Sequence, residues 1–219
     1  PPQGRKLCYE RSKVFNFNTT ADLEAFTIES GHQAFNVANG MLTVSMRNQG
    51  GYGNPTMSFP QFLSQGGIWE GRIKAAPTSG VVTAFVLYGD GVIGATDEMD
   101  YEWVGKDTSN VQSMFFPKGQ RIDGVTVEQH VYPNPAADLA ASYHIYGLEY
   151  NSDYVSWWID GTVSRTLTKA NPNQFPGALG KFRFGLWDGT NTSGWAGAVD
   201  WSKAPFDASI DWLRYTPYC

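Results

Sequence analysis

Residues 98–102, Glu98-Met99-Asp100-Tyr101-Glu102, set three carboxylates at strict alternation with bulky apolar side chains between them. Side chains at i, i+2 and i+4 of a β-strand project from one face. The spacing therefore places Glu98, Asp100 and Glu102 side by side on one surface, with Met99 and Tyr101 on the other. Three like charges in a row repel, and cross-strand like charges destabilise a sheet. Glycoside hydrolysis is a chemistry that needs such a set: one carboxylate as nucleophile or base, and one carboxylic acid as proton donor. A third carboxylate nearby helps hold one of them protonated. A solvated acidic strand face is the bland alternative. Two features oppose it: the segment runs on into Trp103-Val104, and the apolar run Val81–Tyr88 before it reads as a neighbouring core strand.

The elements around this segment are short. Alternating runs occur at Gly40–Arg47, Gly67–Ala75, Val81–Tyr88, Glu98–Val104, Val111–Phe116, Ser142–Tyr150, Val155–Ile159, Phe182–Trp187 and Ala208–Tyr215. With 24 Gly and 12 Pro as punctuation and no long amphipathic helical stretch, they read as a β-sandwich or barrel. Asp160-Gly161 is a two-residue hairpin signal between Ser156–Ile159 and Thr162–Arg165. Thr20–Phe26 reads as an N-cap followed by a helical turn, and Asn171–Gly177 as a Pro-bearing loop. No repeat, linker or low-complexity segment interrupts the 219 residues, so one domain over 1–219 is expected.

Composition narrows the class. Aromatics make up 15% of the chain, with 8 Trp, and this exceeds what a core alone requires; exposed rings suit the C–H faces of sugars. The net charge is −5 and Lys and Arg are scattered, so no nucleic-acid footprint exists. No apolar run approaches a membrane span, and no signal peptide is visible, so a mature or trimmed chain is expected. The two cysteines, Cys8 and Cys219, lie near the two ends. Domain termini often lie close together, so a Cys8–Cys219 disulfide is expected. With the sequons at Asn18 and Asn191 this favours a secreted protein.

The ordered motifs carry a resemblance. Asp97-Glu98-Met99-Asp100-Tyr101-Glu102-Trp103-Val104-Gly105 resembles the active-site strand of glycoside hydrolase family 16. Glu70-Gly71-Arg72-Ile73-Lys74, Gly80-Val81-Val82, Tyr143-His144, Trp157-Trp158-Ile159-Asp160-Gly161, Leu186-Trp187-Asp188-Gly189 and Asp211-Trp212-Leu213-Arg214-Tyr215 follow in family order. The resemblance implies a β-jelly roll of two curved antiparallel sheets with a cleft on the concave face, and a retaining mechanism on β-glucans. It implies Glu98 as nucleophile, Glu102 as general acid/base and Asp100 as modulator. Retention requires the two key carboxyls to lie roughly 5–5.5 Å apart. The Cα atoms of residues 98 and 102 span about 13 Å on an extended strand, so both side chains must lean inward.

Further residues follow from parity and family position. Gln112, Met114 and Phe116 share one strand face, read as cleft-facing. Both lichenases and fungal chitin–glucan transglycosylases tend to carry Asn where Met114 stands, and Gly185 agrees better with the transglycosylases. Arg183 and Trp187 alternate with Gly185; Trp187 is expected as a sugar platform, and Arg183 either pairs with cleft carboxylates or is solvated. Trp195 follows the loop Gly189–Gly194 and is expected to contact substrate. His144 is expected to make structural hydrogen bonds, while His32 and His130 offer no partner for a triad. No cofactor is required. Asp211 matches a position where lichenases hold a structural calcium, so a calcium ion there is an open alternative.

The leading expectation is a secreted or cell-wall, monomeric endo-β-1,3(4)-glucanase acting on β-glucan polysaccharide. A cell-wall transglycosylase on the same scaffold is the first alternative. A carbohydrate-binding lectin is a more distant one, since a lectin has no use for the acidic triplet.

Overall fold

The computed structural model describes residues 5–219. In chain order the strands are β1 (Lys13–Phe15), β2 (Thr27–Ser30), β3 (Phe35–Ala38), β4 (Met41–Met46), β5 (Thr56–Ser58), β6 (Gly67–Lys74), β7 (Val81–Gly89), β8 (Glu98–Val104), β9 (Val111–Phe116), β10 (Gln129–Val131), β11 (His144–Tyr150), β12 (Tyr154–Ile159), β13 (Thr162–Thr168), β14 (Leu179–Asp188) and β15 (Phe206–Pro217). One α-helix, α1 (Thr20–Glu24), joins β1 to β2. The strands form two antiparallel sheets, the jelly-roll sandwich expected from the resemblance. The front sheet has the order β10-β9-β8-β7-β14-β5-β2; the back sheet has the order β13-β12-β11-β6-β15-β4-β3, with β1 also paired to β15.

Each sequence-read strand is present, with ends moved by a few residues. The Asp160-Gly161 hairpin holds: Ile159 pairs with Thr162, and both turn residues take positive φ, 48° and 78°. That is the geometry a type I′ turn requires, and it matches the right-handed twist of its strands. The short strands β1, β2, β3, β5 and β10 were not expected. They are three or four residues long, too short for alternation to register.

The core lies between the sheets. Met99, Tyr101 and Trp103 enter it from β8, while the opposite face of the strand carries the carboxylates. Strand β7 is buried at every position: Val81, Phe85 and Leu87 join the core, while Ala84, Val86 and Tyr88 cluster on the front face. This explains why its sequence is a continuous apolar run. Trp69 stacks on Phe182 across the sandwich, with ring centroids 4.3 Å apart.

Polar contacts then fix β8 and β9 to the back sheet. The Trp157 indole N–H donates to the Asp100 carbonyl at 2.9 Å, and the Tyr101 hydroxyl donates to the Trp158 carbonyl at 3.0 Å. Arg165 reaches from β13 to the carbonyls of Ser113 (2.9 Å) and Val127 (2.8 Å). The Trp157 bond satisfies a buried carbonyl that would otherwise destabilise the fold. The chain ends are closed by the expected Cys8–Cys219 disulfide, with Cα atoms 5.0 Å apart. No helix among the described residues is long and apolar enough to cross a membrane.

Candidate active site

The start of β8 is anchored by Asp97, whose carboxylate accepts from the backbone N–H groups of Lys118 (2.7 Å) and Ala178 (2.8 Å). From there alternation presents Glu98, Asp100 and Glu102 on the front face. The neighbouring strands supply the floor. On β9, Phe116 stands opposite Glu98, Met114 opposite Asp100 and Gln112 opposite Glu102. On β7, Tyr88, Val86 and Ala84 stand opposite the same three carboxylates. Gln112, Met114 and Phe116 therefore share the face that carries the three carboxylates and line the larger hollow.

Two hollows meet at Glu102. The larger, about 740 Å³, is lined by Asp100, Glu102, Gln112, Met114, Phe116, Arg121, Glu128, Trp187 and Trp195. The smaller, about 350 Å³, holds Glu98, Glu102, Arg183 and Trp187 against Thr56, Ala84, Val86 and Ile93. Gly185 lies in its floor. A Cβ there would come 2.5 Å from the Pro55 carbonyl oxygen, so the close approach of the 54–56 segment to β14 demands glycine.

The aromatic walls are tied to the carboxylates. Trp187 donates its indole N–H to Glu102 Oε2 at 3.2 Å. Trp195 donates to Gln112 Oε1 (2.9 Å) and to Glu128 Oε2 (3.2 Å). The two rings stack, with centroids 6.0 Å apart and planes 20° apart. The Trp195 loop is held by Lys106 Nζ, which donates to the Gly194 carbonyl at 2.8 Å.

The environment pushes all three carboxyls toward their protonated forms, to different extents. Burial raises Glu98, while a hydrogen bond from Asp100 and the charge of Arg183 draw it back down. Asp100 lies well above the ordinary carboxylate range, first through complete burial and then through the charges of Glu102 and Glu98. Its two oxygens are buried and find no N–H or hydroxyl donor. An ionised Asp100 would be an uncompensated buried charge, whereas a protonated one donates to Glu98. Glu102 is raised to about 8, by burial first and then by Glu98, with the Trp187 hydrogen bond opposing. Carboxyls that neighbour one another and are shifted to different extents can divide between proton donor and acceptor.

Three residues, Glu128, Arg121 and Tyr88, carried no expectation as part of the cleft. Glu128 lines the larger hollow, accepts from Trp195 and pairs with His130 Nε2 at 3.1 Å. His130 thus has a partner, and it stands opposite Gln112 on β10. Arg121 and Tyr88 also border the carboxylates. The i, i+2 spacing of Glu128 and His130 was the available signal, but it sits beside a three-residue strand. Arg183 follows neither expected alternative alone: it pairs with Glu29 on β2 and also acts on Glu98.

Outside the cleft, His144 has the structural role expected, with Nδ1 2.6 Å from Asp160 Oδ2 and Nε2 3.0 Å from Ser142 Oγ. Asp211 sits at an irregularity in the β15–β6 ladder and pairs with Arg72 Nη1 at 2.8 Å. The guanidinium already supplies the positive charge a calcium ion would bring. Among the described residues Asp211 belongs to no group of three or more His, Cys, Asp or Glu side chains whose ligand atoms converge.

Comparison with known proteins agrees with this geometry. The family model for glycosyl hydrolases family 16 matches residues 22–212. Crh-like protein 3 of Aspergillus fumigatus is 32% identical over 212 residues, covering 92% of this chain and 55% of that protein. The beta-glucanase of Bacillus subtilis is 33% identical over 151 residues, covering 68% of this chain and 58% of its own length. Among solved structures, that of the apo Crh5 transglycosylase superposes with a TM-score of 0.79 at 28% identity, over 97% of this chain and 86% of the other. The chain thus spans a little over half the length of these two relatives.

Proposed function

The chain belongs to glycosyl hydrolases family 16, and from that membership we propose that it is a retaining endo-β-glucanase cleaving internal β-1,3 and β-1,4 linkages. The observation that carries this reading is the alignment of Glu98, Asp100 and Glu102 on one face of β8, where the two hollows meet. Burial pushes Asp100 well up and Glu102 up to about 8, toward their protonated forms, while the rise at Glu98 is opposed by Asp100 and by the charge of Arg183, which makes Glu98 the member of the set suited to act as the carboxylate. In the first step the Glu98 carboxylate attacks the anomeric carbon, and Glu102 gives its proton to the departing glycosidic oxygen. The glycosyl group is then an ester of Glu98. In the second step the Glu102 carboxylate takes a proton from water, whose oxygen attacks the anomeric carbon and frees Glu98. Gln112, Met114, Phe116, Trp187 and Trp195 would line the sugar path, with the stacked indoles as platforms.

One observation favours a second reading. Beside Glu102 the larger hollow sets the flat faces of Trp187 and Trp195 among polar side chains, Gln112, Arg121, Glu128, Thr192 and Ser193, a lining suited to a second sugar. A sugar hydroxyl would then replace water in the second step, giving transglycosylation. The likeness to the Crh5 transglycosylase supports this as much as the beta-glucanase supports hydrolysis. The disulfide and the Crh-like relative support an extracellular or cell-wall location. The deciding experiment is mass spectrometry of products from barley β-glucan, from laminarin, and from laminarin with labelled chitin oligosaccharide. Short unlabelled oligomers alone make it a hydrolase. Labelled products longer than the acceptor make it a transglycosylase. No product from any of the three overturns both.

A further inference from the structure

Arg183 has an unusual position in the front sheet. It lies on β14, opposite Val86 of β7 and Ser58 of β5. Its guanidinium leans over the Tyr88 ring at 5.2 Å, and Tyr88 stands directly opposite Glu98 in the β7–β8 ladder. Arg183 and Glu98 line the same hollow. Tyr88 thus adjoins both Glu98 and the guanidinium, and Val86 and Ile93 are among the walls of the shared hollow. Its ion-pair partner comes from elsewhere: Nη2 lies 2.5 Å from Glu29 Oε2, on the edge strand β2. Its Nε is buried and makes no hydrogen bond.

A cation bonded outward to Glu29 and facing inward to Glu98 is shared between two carboxylates. We propose that Arg183 is the electrostatic positioning residue for the nucleophile, and that Glu29 attenuates it. This rests on the reading of Glu98 as nucleophile. Among the residues that line the hollow of Glu98, Arg183 is the one cation. Asp100 and Glu102 on its own strand are acidic. Tyr88 from β7 is neutral, and its buried hydroxyl resists ionisation. Phe116, opposite on β9, carries no charge itself, and Arg121 leans over its ring at 5.9 Å. Glu128 acts on Asp100 and Glu102, and Arg121 lines the other hollow. The charge of Arg183 does oppose the effect of burial on Glu98. An opposite charge nearby favours the ionised carboxylate, and a partial counter-charge weakens that help.

The test is the acid limb of kcat/KM against pH, which reports the nucleophile of the free enzyme. Arg183→Met is expected to move that limb up by about half a pH unit, and Glu29→Gln to move it down by a similar amount. The double variant should follow Arg183→Met, because Glu29 acts only through the guanidinium. A merely structural role would lower kcat in both variants without opposite shifts. Both limbs unmoved, or moved in one direction, would overturn the proposal. Glu29 is at the surface, so Glu29→Gln decides alone if Arg183→Met does not fold: a downward shift supports the proposal and none overturns it. A parallel Glu98→Gln variant separates this from the underlying reading. If that variant keeps full turnover, Glu98 is not the nucleophile and the earlier reading fails instead.

Discussion

Trp187 donates its indole N–H to Oε2 of Glu102 at 3.2 Å, so the ring that walls the cleft also holds the proposed acid. The same bond opposes the rise in the Glu102 pKa. Trp187→Phe keeps an aromatic wall and removes the donor. It is expected to lower kcat/KM by about 10–100-fold, since a positioned donor to a charged group contributes on the order of 1.5–3 kcal/mol. Its alkaline limb should also move upward, because the acid then holds its proton more tightly. A rate loss with an unmoved limb would assign Trp187 to substrate contact alone.

The pH dependence has a defined sign. Glu102 must be protonated to act, so activity should fall as pH rises through about 8. Stability follows the same group. A carboxyl whose folded pKa exceeds its unfolded value contributes stability below the unfolded pKa and loses it as pH rises through the folded one. Between about pH 4.5 and 8 the melting temperature should therefore decline, and Glu102→Gln should flatten that decline. Asp100 acts in the same direction. Parallel melting curves against pH for wild type and Glu102→Gln would contradict this.

Trp157 ties the back sheet to the Asp100 carbonyl at 2.9 Å. Trp157→Phe leaves that buried carbonyl without its indole donor and opens space in the core. A loss of about 2–4 kcal/mol in unfolding free energy is expected by urea titration, combining the orphaned acceptor with the missing ring volume. A loss below about 1 kcal/mol would mean the carbonyl finds another donor.

The Cys8–Cys219 bridge closes the chain at its ends and lies away from the front-sheet carboxylates. Replacing both cysteines with Ala is expected to lower stability by about 2–5 kcal/mol. Turnover of the folded protein at low temperature should stay within about twofold of wild type. A larger fall in kcat would show that the chain ends influence the cleft.

What could be read from the sequence followed period and punctuation. Strand β8 was legible because alternation of charge and bulk is a strong signal, and the parity of Gln112, Met114 and Phe116 followed from it. The Asp160-Gly161 turn was legible from its dipeptide. The residues that couple strands far apart in sequence were not. Glu29 and Arg183 are 154 positions apart, Arg165 and Ser113 are 52 apart, and Glu128 and Trp195 are 67 apart. Nothing local marks such partners, because they meet only through sheet order. The edge strands β2 and β10 were missed for a related reason: three or four residues with exposed side chains carry no hydrophobic period.

The most direct test of the account is covalent trapping. A 2-deoxy-2-fluoro glucosyl oligosaccharide with a good leaving group slows the second step and should accumulate the glycosyl-enzyme. Intact mass should rise by one glycosyl unit, and peptide mapping should locate the ester on Glu98, with no label in Glu98→Gln. A stable label on Asp100 or Glu102, or undiminished labelling of Glu98→Gln, would contradict the assignment of Glu98 as nucleophile and the retaining mechanism built on it.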